Sequence, residues 1–315
     1  MNQPIKRVAI IGTGVIGASW AALFLAKGLK VAATDPAPGA ETALRHYIEN
    51  AWPALEQLGL APGASQSNLT FTTDLATCVA DADLVQENGP ERIDFKRNLY
   101  GQLDELLPPE AIIASSSSGL MMSDIQIGCK LHPERCVIGH PFNPPHVIPL
   151  VEVVGGAKTS EAVIERAMAF YASIGKKPIR LRKALEGHAG NRLQAALYKE
   201  ILYLIQQDVL SVEDADIAVC YGPGLRWGVM GPSLQWHLGG GAGGIHHFVE
   251  HLMPDIVDRM KKLEMPDVTP ALMQTVIDGV LKAVNGQSVE QLAQAENEVL
   301  LKLITLRATV SSTLP

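Results

Sequence analysis

Short runs of apolar and β-branched residues alternate with segments of helical period over the first part of the chain. Residues 7–12 have the pattern of a buried strand, and an apolar helix is expected from Val15 onward. Further strands are expected at 30–34, 83–86, 111–114, 136–139, 150–154 and 177–181, with a helix within 38–58. Strands that alternate with helices predict a doubly wound, mostly parallel α/β sheet.

The second part of the chain has a different pattern. The strand signal disappears after residue 182, and segments 191–207, 268–285 and 289–307 have the period of amphipathic helices. The sequence therefore predicts an N-terminal α/β domain at 1–183, followed by an all-α domain at 184–315.

Composition narrows the classes of function. The 315 residues are 47% hydrophobic and 19% charged, which excludes a disordered chain. A net charge of −7 without a Lys/Arg tract argues against nucleic acid or an anionic membrane as partner. The cysteines form no C-x-x-C pair, so neither a zinc knuckle nor a disulfide framework is indicated, and we expect a cytoplasmic protein.

One segment near the start could be mistaken for a targeting or membrane sequence. Residues 8–26 carry no charge and follow Lys6 and Arg7, as in signal peptides and short membrane spans. Three glycines interrupt the segment where a nucleotide-binding loop requires them. We therefore expect a buried strand, a loop and a buried helix here.

A G-x-G-x-x-G pattern directly follows the first predicted strand and opens a helix. The first glycine of such a loop makes a tight turn, the second lets the backbone approach a pyrophosphate, and the third allows close helix–strand packing. Asp35 ends the second predicted strand, where a carboxylate binds the ribose 2′-hydroxyl and repels a 2′-phosphate. These features predict a Rossmann-type domain that binds NAD through Gly12, Gly14, Val15, Ile16, Gly17 and Asp35.

Two further patterns have simpler interpretations. The glycine pattern recurs at 239–244, but no strand precedes it, which predicts a flexible loop. His247 and His251 belong to an H-x-x-E-H pattern that could place two imidazoles on one helix face for zinc. No third ligand is identifiable, so we predict no metal site.

Polar side chains follow several predicted strands, at the sheet edge where ligands bind in open α/β folds. Serines occupy 115–118, and His140 also follows a predicted strand; the unperturbed pKa of a histidine side chain suits proton exchange near neutral pH. Glu152 lies in an otherwise apolar strand, and a buried carboxylate needs a partner such as an imidazole, which it would orient. Taken singly, these residues are also typical of a serine-rich turn, a structural histidine and an edge-strand glutamate.

Together the motifs GTGVIG, ASSSSGL, GHPFNP, LVEVVGG and GHAGNRL resemble those of the 3-hydroxyacyl-CoA dehydrogenase superfamily, in order and spacing, over nearly the whole chain. The resemblance implies a Rossmann domain, a helical domain that dimerises, NAD as oxidant and L-3-hydroxy substrates. It implies that His140 is the catalytic base with Glu152 as its partner. By the same resemblance Ser118 and Asn191 orient the substrate, and Glu91 and Lys96 contact the cofactor.

Departures from the family pattern put an acyl-CoA substrate in doubt. Ser116 and His188 stand where the family usually has Asn and Phe, and 231–240 replaces a GPFEL-type segment. Acyl-CoA members place a basic helical tail within the window that corresponds to 31–95. Here that window holds ten acidic residues against two basic ones, which disfavours a polyanionic CoA and favours a cationic substrate.

Within the superfamily the chain most resembles the L-carnitine dehydrogenase branch, followed by L-gulonate 3-dehydrogenase and lambda-crystallin. The expected reaction is the NAD-dependent oxidation of L-carnitine to 3-dehydrocarnitine. Aromatic rings bind a trimethylammonium group by cation–π attraction. The expected substrate contacts are Phe142, Asn143, Trp227 and Trp236, with Arg226 for the carboxylate. Short-chain L-3-hydroxyacyl-CoA dehydrogenase, L-gulonate 3-dehydrogenase and a non-catalytic crystallin-like protein are the alternatives.

Overall fold

A computed structural model describes residues 4–310, which form two compact units. The N-terminal unit extends through Asn191, and the C-terminal unit starts at Arg192. The boundary between these units lies inside a helix, Gly190–Gln206, whereas the sequence pattern predicts a domain boundary at 183/184.

The N-terminal unit is built on one eight-stranded sheet of order β3-β2-β1-β4-β5-β6-β7-β8. All neighbouring strands are parallel except β6 and β7, which form an antiparallel pair. The strands are β1 Arg7–Ile11, β2 Lys30–Thr34, β3 Leu69–Phe71, β4 Leu84–Glu87, β5 Ile112–Ser115, β6 Cys136–Pro141, β7 Leu150–Gly155 and β8 Lys177–Leu181. The central strands are buried on both faces, which explains their nearly continuous apolar runs.

Helices cover this sheet, and their apolar side chains pack with those of the strands in two cores. Asp74 and Ser160 each accept a hydrogen bond from a backbone N–H of the following first turn, so the sequence defines where two of these helices start. The helices are α1 Val15–Ala26, α2 Ala40–Leu58, α3 Leu75–Val79, α4 Ile93–Leu106, α5 Met122–Ile125 and α6 Glu161–Ser173.

The regular elements of the C-terminal unit are all helices in its described residues. Its first helix, α7 Gly190–Gln206, starts at the end of the N-terminal unit. The others are α8 Val212–Tyr221, α9 Pro223–Trp227, α10 Pro232–Gly239, α11 Gly244–His251, α12 Met253–Met260, α13 Pro270–Val284 and α14 Val289–Thr309.

The predicted fold class, an α/β doubly wound sheet followed by an all-α region, is confirmed. The short strand β3 was missed, because three residues at the sheet edge have too little apolar alternation to stand out. The antiparallel β6–β7 pair was not predicted either, since strand direction depends on how a loop closes and not on the strand's own composition.

The uncharged segment 8–26 forms β1, the glycine loop and the buried helix α1, as expected. None of the helices in the described part of the chain has the length and apolar character needed to cross a membrane. A cytoplasmic location stays a prediction.

Candidate active site

The glycine loop between β1 and α1 has the backbone geometry that a dinucleotide needs. Gly12 has a positive φ of 82°, which favours glycine because it has no Cβ. A Cβ on Gly17 would lie 1.9 Å from the Gly12 carbonyl oxygen, whereas a Cβ on Gly14 would meet nothing within 4 Å. Tight helix–strand packing on one side and open space on the other fit a bound pyrophosphate at the N-terminus of α1.

Asp35 lies at the end of β2 and faces this loop. Its Oδ2 accepts hydrogen bonds from the backbone N–H of Thr13 at 2.8 Å and from the Thr13 hydroxyl at 3.2 Å. Its Oδ1 accepts from the N–H of Ala37 at 2.9 Å. The carboxylate is therefore held beside the glycine loop and is only half-buried, which fits its predicted role toward the ribose of NAD.

Lys96 of α4 lies on the same edge of the sheet but is fully buried. Its ammonium donates to both carboxylate oxygens of Glu87, at 2.8 and 2.9 Å. Glu87 also accepts from the Ser115 hydroxyl at 2.7 Å and from the Gly89 N–H at 2.6 Å. In this structure Lys96 neutralises a buried carboxylate, and its direct contact with the cofactor stays a prediction.

Glu87 was not among the residues that the sequence analysis selected. It ends β4, next to β1 and β5, and fastens the carboxyl end of β5 to helix α4. The available signal was a carboxylate at the end of a strand, a position that Asp35 also occupies.

Glu91 fixes the serine-rich segment that follows β5. Its Oε1 accepts from the Ser117 hydroxyl at 2.6 Å and from the N–H groups of Gly119 and Leu120 at 2.8 and 3.2 Å. Burial alone would raise the pKa of Glu91, but these hydrogen bonds and the Lys96 charge bring the pKa below its ordinary value. A fixed negative charge therefore lies at this end of the sheet.

His140 and Glu152 face each other across the antiparallel β6–β7 pair. They are register partners in the two strands, and His140 Nδ1 lies 2.9 Å from Glu152 Oε2. The second oxygen of Glu152 accepts the N–H groups of Ala189 and Gly190, at 2.8 and 3.0 Å, where α7 begins. Because a carboxylate only accepts, Nδ1 carries the proton and Nε2 of His140 keeps its lone pair.

The environment keeps His140 neutral near pH 7. Burial lowers the pKa of His140, the hydrogen bond to Glu152 raises it in part, and the neighbouring His188 lowers it further. The net pKa lies below the ordinary histidine value. A neutral imidazole with one free lone pair and a buried carboxylate behind it is suited to accept a proton.

Phe142, one of the other predicted substrate contacts in this unit, lies beside His140. The Phe142 ring centroid is 6.0 Å from that of His140, and a Cβ on Gly190 would clash with the Phe142 ring. Ser118 and Asn143 are exposed, while Asn191 is half-buried in the first turn of α7. Their roles toward a substrate stay predictions.

Arg226, Trp227 and Trp236 belong to the C-terminal unit. Arg226 and Trp227 are exposed on α9, and the Trp236 ring stacks on Phe248 with centroids 5.4 Å apart. One face of the Trp236 ring is therefore occupied by Phe248. An aromatic cage for a trimethylammonium group stays a prediction.

The two other patterns found in the sequence lie in the same unit. Residues 239–244 follow no strand and link α10 to α11. His247 and His251 stack on one face of α11 with ring centroids 4.3 Å apart. No group of three or more His, Cys, Asp or Glu side chains suited to a metal occurs between residues 4 and 310.

Comparison with known families agrees with this geometry. Residues 7–184 match the NAD-binding domain of 3-hydroxyacyl-CoA dehydrogenase, and residues 187–289 match its C-terminal domain. Among solved structures, 5-formyl-3-hydroxy-2-methylpyridine 4-carboxylic acid 5-dehydrogenase, an NAD⁺-dependent dismutase, is similar with a TM-score of 0.80 and 32% identity. That match covers 98% of this chain and 99% of the other.

Curated relatives are similar over nearly the whole chain. L-carnitine dehydrogenase of Bacillus cereus is 48% identical, over 97% of this chain and 93% of the relative. L-carnitine dehydrogenase of Streptomyces griseus is 47% identical, over 98% and 91%. The chain therefore belongs to the 3-hydroxyacyl-CoA dehydrogenase family and is an NAD-dependent oxidoreductase.

Proposed function

We propose that this protein oxidises the 3-hydroxyl of L-carnitine to the ketone of 3-dehydrocarnitine, with His140 as the general base. The observation that carries the proposal is the buried His140–Glu152 pair at the carboxyl edge of an NAD-binding sheet. Its substrate is suggested by relatives 42–48% identical that are L-carnitine dehydrogenases.

The proposed chemistry divides between the cofactor and the chain. NAD, when bound at the glycine loop beside Asp35, supplies the acceptor for the hydride that leaves C3. Nε2 of His140 takes the proton of the 3-hydroxyl as the ketone forms. Glu152 stabilises the resulting imidazolium through Nδ1–H, and the N–H groups of Ala189 and Gly190 keep its carboxylate in place.

Ser118 and Asn191 are proposed to orient the substrate hydroxyl beside this ring. Phe142, Asn143, Arg226, Trp227 and Trp236 are proposed to bind the rest of the substrate, and Glu91 and Lys96 to support the cofactor. The acidic character of 31–95 supports a cationic substrate, since its field repels polyanions.

Replacement of the base tests the mechanism. His140→Gln keeps the size of the side chain but removes the lone pair, so we expect turnover to fall by about 10²–10⁴-fold. NAD affinity, measured by quenching of tryptophan fluorescence, should change little. His132→Gln, at a half-exposed histidine paired with Glu134, is the matched control and should keep full activity. Near-normal turnover of His140→Gln would refute the assignment.

Substrate choice is tested with four compounds under the same conditions. NADH formation is followed with L-carnitine, D-carnitine, L-gulonate and L-3-hydroxybutyryl-CoA. Turnover confined to L-carnitine supports the proposal. Preference for the CoA thioester would show that the charge argument is wrong, and absence of turnover with all four would favour another 3-hydroxy acid or a non-catalytic role.

We further propose that the protein is a homodimer. Large apolar side chains of the C-terminal unit are exposed in the single chain, among them Ile277, Val280 and Leu281 on one face of α13. An apolar stripe of this kind is typical of a surface that another chain covers. Light scattering after size-exclusion chromatography tests the homodimer. The mass of two chains would support the proposal, and the mass of one chain would contradict it.

A further inference from the structure

His188 occupies an unusual place immediately before α7. It is buried, with 3% of its surface exposed, and has a positive φ of 51°, next to Gly187 with a φ of 75°. Two successive residues in the left-handed region turn the chain sharply, and this conformation is uncommon for a residue with a side chain. The turn brings the His188 ring to within 5.1 Å of the His140 ring, centroid to centroid.

The His188 ring makes one hydrogen bond, and its direction is determined. Nε2 lies 3.0 Å from the carbonyl oxygen of Ser117, and a carbonyl only accepts, so Nε2 carries the proton. Nδ1 is buried and has no hydrogen-bond partner within residues 4–310. Burial of an unpaired nitrogen costs free energy, so the contact that favours a histidine here is the one through Nε2.

This hydrogen bond joins the segments that carry the proposed substrate-orienting groups. Ser117 directly precedes Ser118 in the segment after β5. His188 precedes Ala189 and Gly190, whose N–H groups hold Glu152, and Asn191 follows them. The His140 ring also contacts the His188 ring, so the base lies beside this connection.

We infer that His188 is a positioning residue that sets Ser118 and Asn191 at the correct distance from His140 by donating Nε2–H to the Ser117 carbonyl. It does not touch the reacting atoms itself. Without this donor the Ser117 carbonyl loses this partner, and the serine segment is free to shift relative to α7. The inference rests on the proposed function, because it assumes that His140 acts on the substrate.

Two variants of equal length separate the hydrogen bond from simple packing. His188→Gln retains an N–H donor that reaches about as far as Nε2, whereas His188→Met has a side chain of similar length without a donor. Both place a side chain in the left-handed region, so any cost of backbone strain or of lost ring packing is shared. Their difference isolates the hydrogen bond.

We expect kcat/KM for the oxidised substrate to be about tenfold lower in His188→Met than in His188→Gln, from the loss of one buried hydrogen bond. The dissociation constant for NAD should be the same in the two variants. The midpoint of thermal unfolding should be a few degrees lower in His188→Met, because that variant lacks one buried hydrogen bond, and both are assayed at a temperature where they are fully folded. Equal kcat/KM in both fully folded variants, or a difference in kcat/KM matched by an equal difference in NAD affinity, would overturn the inference.

Failure of this inference can be told apart from failure of the proposed function. If His140→Gln retains turnover, the proposed base is wrong whatever the His188 variants do. If His140→Gln is inactive and the Gln and Met variants at position 188 have the same kcat/KM, only the role of His188 is wrong.

Discussion

The two units of this protein bury apolar surface in opposite ways. In the N-terminal unit, large apolar clusters lie on both faces of the sheet and include residues from most of its strands and helices. In the C-terminal unit, the buried cluster consists of four residues, Leu202, Ile205, Val212 and Leu272. The N-terminal unit therefore has a complete core within one chain. The helices of the C-terminal unit bury less apolar surface within the chain, so they depend more on local sequence signals.

The largest expected effect is a difference in core stability between the units. Leu44 is completely buried in α2, so Leu44→Ala should lower the free energy of unfolding by about 2–5 kcal/mol. Leu306 of α14 is 62% exposed, and Leu306→Ala should change the free energy of unfolding by less than about 0.5 kcal/mol. Urea unfolding of both variants measures these changes. Similar losses of unfolding free energy in the two variants would contradict the difference in burial between the units.

The second prediction concerns acid, because the N-terminal unit buries histidines. Burial and the Lys176 charge lower the pKa of His146 to about 4. A histidine whose pKa is lower in the folded state than in the unfolded state binds its proton more weakly in the folded protein. The contribution of His146 to the free energy of unfolding is therefore fully present above the unfolded-state pKa of about 6.5. It is lost as the pH falls toward about 4, which lowers the free energy of unfolding by about 3 kcal/mol in total.

The measurement is the free energy of unfolding at several pH values, for the native protein and for His146→Asn. The variant should lose less stability between neutral and acidic pH, because it no longer has this proton to bind. The C-terminal unit buries no histidine among its described residues, so a contribution of this kind from a buried histidine is expected only from the N-terminal unit. The same pH slope in both proteins would exclude His146 as its source.

The third prediction tests what covers the C-terminal unit. Leu281→Arg places a charge in the exposed apolar face of α13 and should weaken self-association at least about tenfold, as expected for an interface anchor. Thr275→Arg adds the same side chain on another face of that helix and should leave association unchanged. Sedimentation velocity over a range of concentrations measures both. Equal association of both variants would place the interface elsewhere.

The smallest expected effect concerns a local signal. Ser288 caps α14 in a reciprocal capping box with Gln291. Ser288→Ala should lower the free energy of unfolding by about 1 kcal/mol, and Ser288→Asp, which also accepts from the backbone, should restore most of it. Thermal unfolding monitored by circular dichroism checks this. No change in Ser288→Ala would show that tertiary contacts, rather than the cap, stabilise the start of this helix.

The pattern of apolar and polar residues was by itself sufficient to predict most strands and helices of the N-terminal unit. Strands β2 and β8 both have the predicted bounds. Strand β2 is short and largely buried, as is typical of a parallel strand, whereas β8 lies at the edge of the sheet and has no buried residue. The Gly12 turn and the start of α1 were predicted for the same kind of reason, since backbone geometry at these positions permits few residue types. Family resemblance, not periodicity, was needed to assign roles to Ser118 and Asn191.

What the sequence determined by itself was local. It defined the strand–loop–helix unit around Gly12, the order of strands and helices, and the identity of the polar residues at the strand ends. These properties depend on neighbouring residues, through the period of the apolar positions and the backbone freedom of glycine.

Only the tertiary structure decided which distant groups meet. The antiparallel closure of β6 and β7 brings Glu152 opposite His140, and the turn at His188 places a second imidazole against that ring. The burial of Lys96 against Glu87 was decided in the same way. Such contacts join residues from different elements and depend on strand direction and side-chain packing, which the local pattern of a sequence does not specify.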